Sequence, residues 1–227
     1  MNLYKVFLSL IIFISSNNFA MAEKYFGFES VSPYIIDKPF KMNSKEHQEQ
    51  ISQVILMQKN IDLIDIDQAL EEKKLCPELI VNNVYQNIDR KKFPQLFTLL
   101  DRVAETSIDV TDGIKNYWKI SRPYKSDKKV EMLISPSKGY SYPSGHTTGG
   151  YIYAYVMELL TPQKTEEFQD FAHQIAWHRV QVGMHYPQDL QGGKQLANFL
   201  IGGLMQNPQF QEDLKNAREE LKKAGIV

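Results

Sequence analysis

Between Pro94 and Tyr117, the positions Leu96, Leu99, Val103, Ser107, Val110, Ile114 and Tyr117 recur at spacings of three or four. That is the period of one buried face of an α-helix. Stretches that alternate polar and apolar residues, which would build a sheet, are essentially absent from the chain. The buried face must therefore be covered by other helices. Arg122-Pro123 is expected to end this helix, because the residue before a proline is pushed out of the helical region.

The other segments agree with that constraint. Asn43-Ser44 offers a cap to an amphipathic helix of about three turns carrying Ile51, Val54, Ile55 and Gln58. Residues 61–74 read as a turn and a short helix, and Pro77 suits the first position of another with Leu79, Ile80, Val84 and Ile88 apolar. Further helices are expected over His146–Leu160, over Gln163–Val182, from Pro187 to about Met205, and from the Asn207-Pro208 cap to Gly225. Residues 23–42 read as an extended surface arm. Tyr124–Tyr142 reads as a long loop, a feature that is often functional inside a compact domain. There is no internal repeat, low-complexity tract or linker. The expectation is an all-α fold, a single compact helical domain with a core helix bundle over residues 23–227.

Residues 1–22 read as a signal peptide. Lys5 precedes the apolar run Val6–Ile14, and Ala20-Met21-Ala22 has the small-x-small form of a cleavage site. The run is too short to cross a bilayer core of ~30 Å as a helix. The mature protein is expected to be periplasmic or secreted, with no stable membrane insertion. A formal net charge of −1 argues against nucleic acid as a partner. The single Cys76 excludes an intramolecular disulfide and reads as a small packed residue.

Three short blocks carry chemistry. Lys115 and Arg122 are seven residues apart, about 20° short of two helical turns, so both point the same way if the helix reaches Arg122. A guanidinium fork and an ammonium suit phosphate oxygens, although either residue could equally be a solvated basic position near a helix end. Pro143-Ser144-Gly145-His146 comes just before a helical pattern, where Ser144 can cap and free N–H groups can bind an anion. In the third block, Arg179 adds a second guanidinium. Asp189 lies four residues after His185 and can accept one imidazole N–H, fixing the tautomer and leaving the other nitrogen free to attack. The set suits a metal-free phosphoryl-transfer site. The competing chemistry is a metal site of His146, His178, His185 and Asp189, but nearby cations would repel a divalent ion. His47 and His173 read as surface or packed residues. Trp118, Tyr124, Tyr140, Tyr142 and Tyr186 flank the blocks as core or pocket-lining side chains.

The blocks resemble the signature shared by bacterial class A non-specific acid phosphatases, membrane phosphatidic acid phosphatases and vanadium haloperoxidases: Lys-x6-Arg-Pro, Pro-Ser-Gly-His and Ser-Arg-x5-His-x3-Asp. Every fixed position matches except that His178 stands in place of the serine. The likeness to the class A enzymes extends to Gly-Tyr-Ser-Tyr-Pro-Ser-Gly-His and to the closing Asn-Pro-x-Phe-Gln-x-x-Leu-x-x-Ala. The resemblance implies an all-helical acid phosphatase that hydrolyses small-molecule phosphomonoesters through a phosphohistidine, with no cofactor and no metal. His185 would be the nucleophile, Asp189 its orienting partner, and His146 the general acid and then the base. Lys115, Arg122, Arg179 and the amides of Ser144 and Gly145 would hold the phosphoryl oxygens. Because a ring cannot copy a serine hydroxyl, His178 is expected to alter the support around the site or its acid limb. A vanadate-dependent haloperoxidase, a soluble lipid phosphate phosphatase and a phosphate-binding protein without turnover are the alternatives. Homo-oligomerisation is left open by the sequence.

Overall fold

The computed structural model describes residues 22–227, so the expected signal peptide lies outside the described residues except for Ala22. The helices in chain order are α1 (Lys45–Gln58), α2 (Leu63–Glu71), α3 (Pro77–Val84), α4 (Pro94–Trp118), α5 (Pro123–Ser126), α6 (Gly145–Leu160), α7 (Thr165–Gln181), α8 (Pro187–Leu204) and α9 (Pro208–Lys223). No strand occurs among the described residues. The all-α expectation holds.

At the centre, α6 packs against α4, α7 and α8, while α9 packs along α4 and also reaches α6. The position of α6 follows from its composition: Thr147 through Ala154 are all buried, so it has no solvent face in its first half. The α4 stripe also behaves as expected, with Leu96, Leu99, Val103, Val110 and Ile114 fully buried. Gly193 sets the closeness of α8 to α6, because a Cβ there would lie 2.8 Å from Thr147 Cβ and 2.9 Å from the Ser144 carbonyl oxygen. The arm before α1 is irregular with short 3-10 turns at Phe28–Ser30 and Pro33–Ile35, and it is tied to α4 by Tyr25 and Phe28 amides on Thr106 and Asp109.

One boundary differs in a way that matters for the site. α4 ends at Trp118, before Arg122, because Lys119 takes a left-handed conformation (φ 54°) and its N–H bonds the Lys115 carbonyl at 2.9 Å. The chain then turns back: Ile120 is buried, and its carbonyl accepts from Ser141 N at 2.8 Å. Tyr117, expected on the buried stripe, is instead exposed and sits edge-on to Tyr34 and Trp118. α1 is also about a turn longer than expected, and Ile88 is buried from the turn after α3 rather than from the helix.

Candidate active site

The site forms where the N-terminus of α6, the C-terminal part of α4, the α7–α8 turn and the end of α2 meet. Ser144 is the N-cap of α6, and its Oγ accepts from Thr147 N at 3.2 Å. Its own N–H donates to the Asp189 carbonyl at 2.9 Å. The Ser144 amide, expected to face an anion, is therefore already used in this arrangement. The amides of Gly145 and His146 have no partner among the described residues and are the free N–H groups of the helix start.

Lys115, buried on α4, donates through Nζ to the carbonyls of Tyr140 and Ser141, each at 2.9 Å. Arg122 arrives from the extended segment before Pro123 rather than from the helix. Its guanidinium donates to the carbonyls of Met184 (3.0 Å), Lys138 (3.2 Å) and Gly139 (3.4 Å). The same Nη1 lies 3.1 Å from His185 Nε2.

The α7–α8 turn supplies the nucleophile candidate. Gly183 reverses the chain at φ +77°, where a Cβ would meet the Glu131 carbonyl oxygen at 2.4 Å, so only glycine fits. Pro187 opens α8 and Asp189 lies in its first turn, where Oδ2 accepts from Tyr186 N at 2.9 Å. Oδ2 also accepts from His185 Nδ1 at 3.0 Å and from the Ser141 hydroxyl. Ser141, to which the sequence assigns no role, is fully buried between His185 and Asp189.

Glu72, just past α2, is the other partner no motif announces. It is buried, and its carboxylate accepts from His178 Nδ1 at 2.8 Å and Arg179 Nη2 at 2.9 Å. Arg179 Nη2 also donates to the Ala69 carbonyl at 2.8 Å, while Arg179 Nε is buried without a partner. His146 Nε2 faces the carbonyls of Glu72 (3.1 Å) and Lys73 (3.3 Å). Carbonyls only accept, so Nε2 carries the proton and Nδ1 is the nitrogen left to gain or give one. His146 and His178 thus meet different oxygens of Glu72 while His185 meets Asp189, and no group of three or more metal-ligating side chains occurs among the described residues. His47 is a packed residue: Asn43 N donates to its Nδ1 at 3.0 Å, and its Nε2 contacts Tyr186 Oη at 3.1 Å. His173 is exposed.

Burial and like charge dominate the electrostatics. Lys115 is pushed down to about 7, first by burial and then by the Arg122 charge. Burial lowers Arg122 and Arg179 as well. His185 lies well below its ordinary value through burial and the charges of Arg122 and Lys115. Asp189 is raised to about 6 by burial, against its hydrogen bonds from Ser141 and Tyr186. His146 is partly open to the site, but desolvation and then Arg179 push it down to about 3. A bound anion would favour the charged forms of Lys115, Arg122, Arg179 and the two histidines. Beside His146 opens a cavity of about 820 Å³, lined among others by Lys73, Thr111, Gly145, Ile152 and Tyr153.

Comparisons with known proteins converge on this region. Residues 102–212 match the PAP2 superfamily, a span that holds Lys115, Arg122, His146, Arg179, His185 and Asp189. The chain is 30% identical over 142 residues to an acid phosphatase of Zymomonas mobilis, covering 61% of this chain and 54% of that protein. It is 28% identical over 144 residues to a non-specific acid phosphatase of Providencia stuartii, covering 60% and 57%. A non-specific acid phosphatase of Salmonella typhimurium is 28% identical over 139 residues, covering 59% and 56%. The chain thus spans a little over half the length of these curated relatives. Among solved structures, a bacterial vanadium-dependent iodoperoxidase shares the fold, with a TM-score of 0.55 at 15% identity over 74% of this chain and 51% of that one.

Proposed function

We propose, from the match of residues 102–212 to the PAP2 superfamily, that this protein is a phosphatase that hydrolyses phosphomonoesters without a metal, through a phosphohistidine on His185. One observation carries the reading. Arg122 Nη1 can only donate to His185 Nε2, so that nitrogen presents its lone pair, while Nδ1–H is held by Asp189. An imidazole fixed in that tautomer, among Lys115, Arg122 and Arg179, is a nucleophile beside an anion cradle.

The substrate phosphate would draw the Arg122 fork onto its own oxygens and release the lone pair. Nε2 then forms a bond to phosphorus as the ester P–O bond breaks, and the leaving oxygen takes a proton from His146 Nδ1. Lys115, Arg122, Arg179 and the free amides of Gly145 and His146 hold the equatorial oxygens. In the second half, water attacks phosphorus and gives its proton back to His146. The P–N bond breaks with its electron pair returning to Nε2. Ser144 acts through its cap and its bond to the Asp189 carbonyl rather than through its own amide.

The substrates are proposed to be small phosphomonoesters, with the leaving group in the cavity beside His146. Residues 1–22 are proposed as an export signal followed by one domain over 23–227. No helix among the described residues is long and apolar enough to cross a membrane. The test is hydrolysis of p-nitrophenyl phosphate by the purified chain, expected to persist in EDTA and to be blocked by vanadate. Activity lost in EDTA and restored by zinc or magnesium would sink the metal-free reading.

A further inference from the structure

Glu72 lies outside residues 102–212 and outside every motif, yet it touches both arms of the site. Its carboxylate accepts from Arg179 and its carbonyl accepts from His146. The apolar anchor of α2 is small, with Ala69 packed among Ile134, Val182 and Met184. Within the helix only Ala69 is buried, whereas Leu63, Ile64 and Leu70 are exposed. The seam between α2 and α7 is polar instead: Gln181 Nε2 donates to Asp65 Oδ2 at 3.1 Å, Arg179 to the Ala69 carbonyl, and His178 and Arg179 to Glu72.

We propose that Glu72 is a positioning residue for the reaction, aiming Arg179 through its carboxylate and His146 through its carbonyl, and that His178 holds the second carboxylate oxygen. The proposal rests on reading the site as a phosphatase. Each oxygen of Glu72 has its own donor, His178 Nδ1 on Oε1 and Arg179 Nη2 on Oε2, so the carboxylate cannot rotate without breaking a bond. That pins Arg179 by Nη2 and leaves Nε, buried and unpartnered, as a nitrogen for an anion. A serine at position 178 would offer only a short hydroxyl in place of the ring that bridges from α7 to Oε1. Removing the carboxylate would leave a buried guanidinium without its counter-charge and free the end of α2 that holds His146.

The experiment compares Glu72→Ala, Glu72→Gln and His178→Ala in the full chain, reading Tm, sulfate affinity by calorimetry and kcat/KM on an alkyl phosphate. A misplacement on the order of 1 Å can cost about 10²-fold, and Glu72→Ala is expected to lose about that in kcat/KM while binding sulfate more weakly. Glu72→Gln, which keeps one accepting oxygen but loses the second and the charge, should fall between wild type and Glu72→Ala in both, and added acetate should restore part of the Glu72→Ala loss. A lowered Tm with sulfate affinity and kcat/KM per folded molecule unchanged would overturn the proposal. If Glu72→Ala does not fold, His178→Ala decides: it keeps the Arg179 pair but frees one oxygen, and unaltered sulfate affinity and kcat/KM there would overturn it. Sulfate binding needs no turnover, so a wild-type chain that hydrolyses nothing defeats the phosphatase reading while the positioning is still measured.

Discussion

Arg122 Nη1 stands 3.1 Å from His185 Nε2, and the ring's other nitrogen stands 3.0 Å from Asp189 Oδ2. A donor on one side and an acceptor on the other leave the neutral imidazole a single tautomer. Asp189→Asn can offer an N–H to Nδ1 and turn that tautomer over, so kcat should fall by roughly 10³-fold or more. His185→Ala should lose turnover entirely, because no phosphoryl acceptor remains. Steady-state kinetics on folded variants check both, and an Asp189→Asn enzyme within tenfold of wild type would refute the assignment.

His146 should reveal itself through the leaving group. An alkyl alcohol needs a proton as its bond to phosphorus breaks, whereas p-nitrophenolate leaves without one. General acid help is worth roughly 10²–10⁴-fold, so His146→Ala should lose about that much more on an alkyl substrate than on the aryl one. Quenched reactions with an activated substrate should show a protein label stable to base and labile to acid. A label surviving in His185→Ala, or equal losses on both substrates, would show the two roles misassigned.

Anion binding should take up protons. In the ligand-free site His146 is held down to about 3 and Lys115 to about 7. A bound dianion raises both, so between the free and bound values the complex holds protons that the free protein lacks. Affinity should therefore weaken as pH rises through the bound-state values. Sulfate, which does not itself titrate in this range, is the suitable probe. Calorimetry at pH 6 in buffers of different ionisation enthalpy should show uptake; proton release would contradict the sign.

The α6–α8 contact gives a stability prediction with its own control. Gly193→Ala would force a Cβ to 2.8 Å from Thr147 and 2.9 Å from the Ser144 carbonyl, shifting the start of α6. Overpacking of this kind costs roughly 1–3 kcal/mol, and activity should drop with it because the free amides move. Gly202→Ala, with nothing within 4 Å, should instead gain roughly 0.5–1 kcal/mol. Thermal melts compare the two, and equal shifts would contradict the packing argument.

What the sequence made legible follows from local rules. The α4 stripe, the Ser144 cap and the Pro187 start each rest on near neighbours, and each is where the periodicity and capping residues place it. The His185–Asp189 pair was legible because a four-residue spacing at a helix entrance brings them together. Arg122 was placed by a helical register that does not continue to it, since Lys119 breaks the helix and the contact is made by chain reversal. Ser141 and Glu72 were missed because their partners are remote: Ser141 meets Asp189 across 48 positions and Glu72 meets Arg179 across 107. No local pattern encodes such pairs.

The cations Lys115 and Arg122 are moored largely to peptide carbonyls of Lys138, Gly139, Tyr140, Ser141 and Met184. A carbonyl survives almost any substitution at its own residue. Lys138 and Tyr140 can therefore change their side chains in related lineages and still hold both cations, whereas Gly139, at φ +75°, is tied to glycine by its backbone. The stretch cannot easily gain or lose a residue, because that would slide the carbonyls past their donors. What selection must guard there is the count of residues and the one glycine, and one inserted residue should do more harm than replacements at both Lys138 and Tyr140.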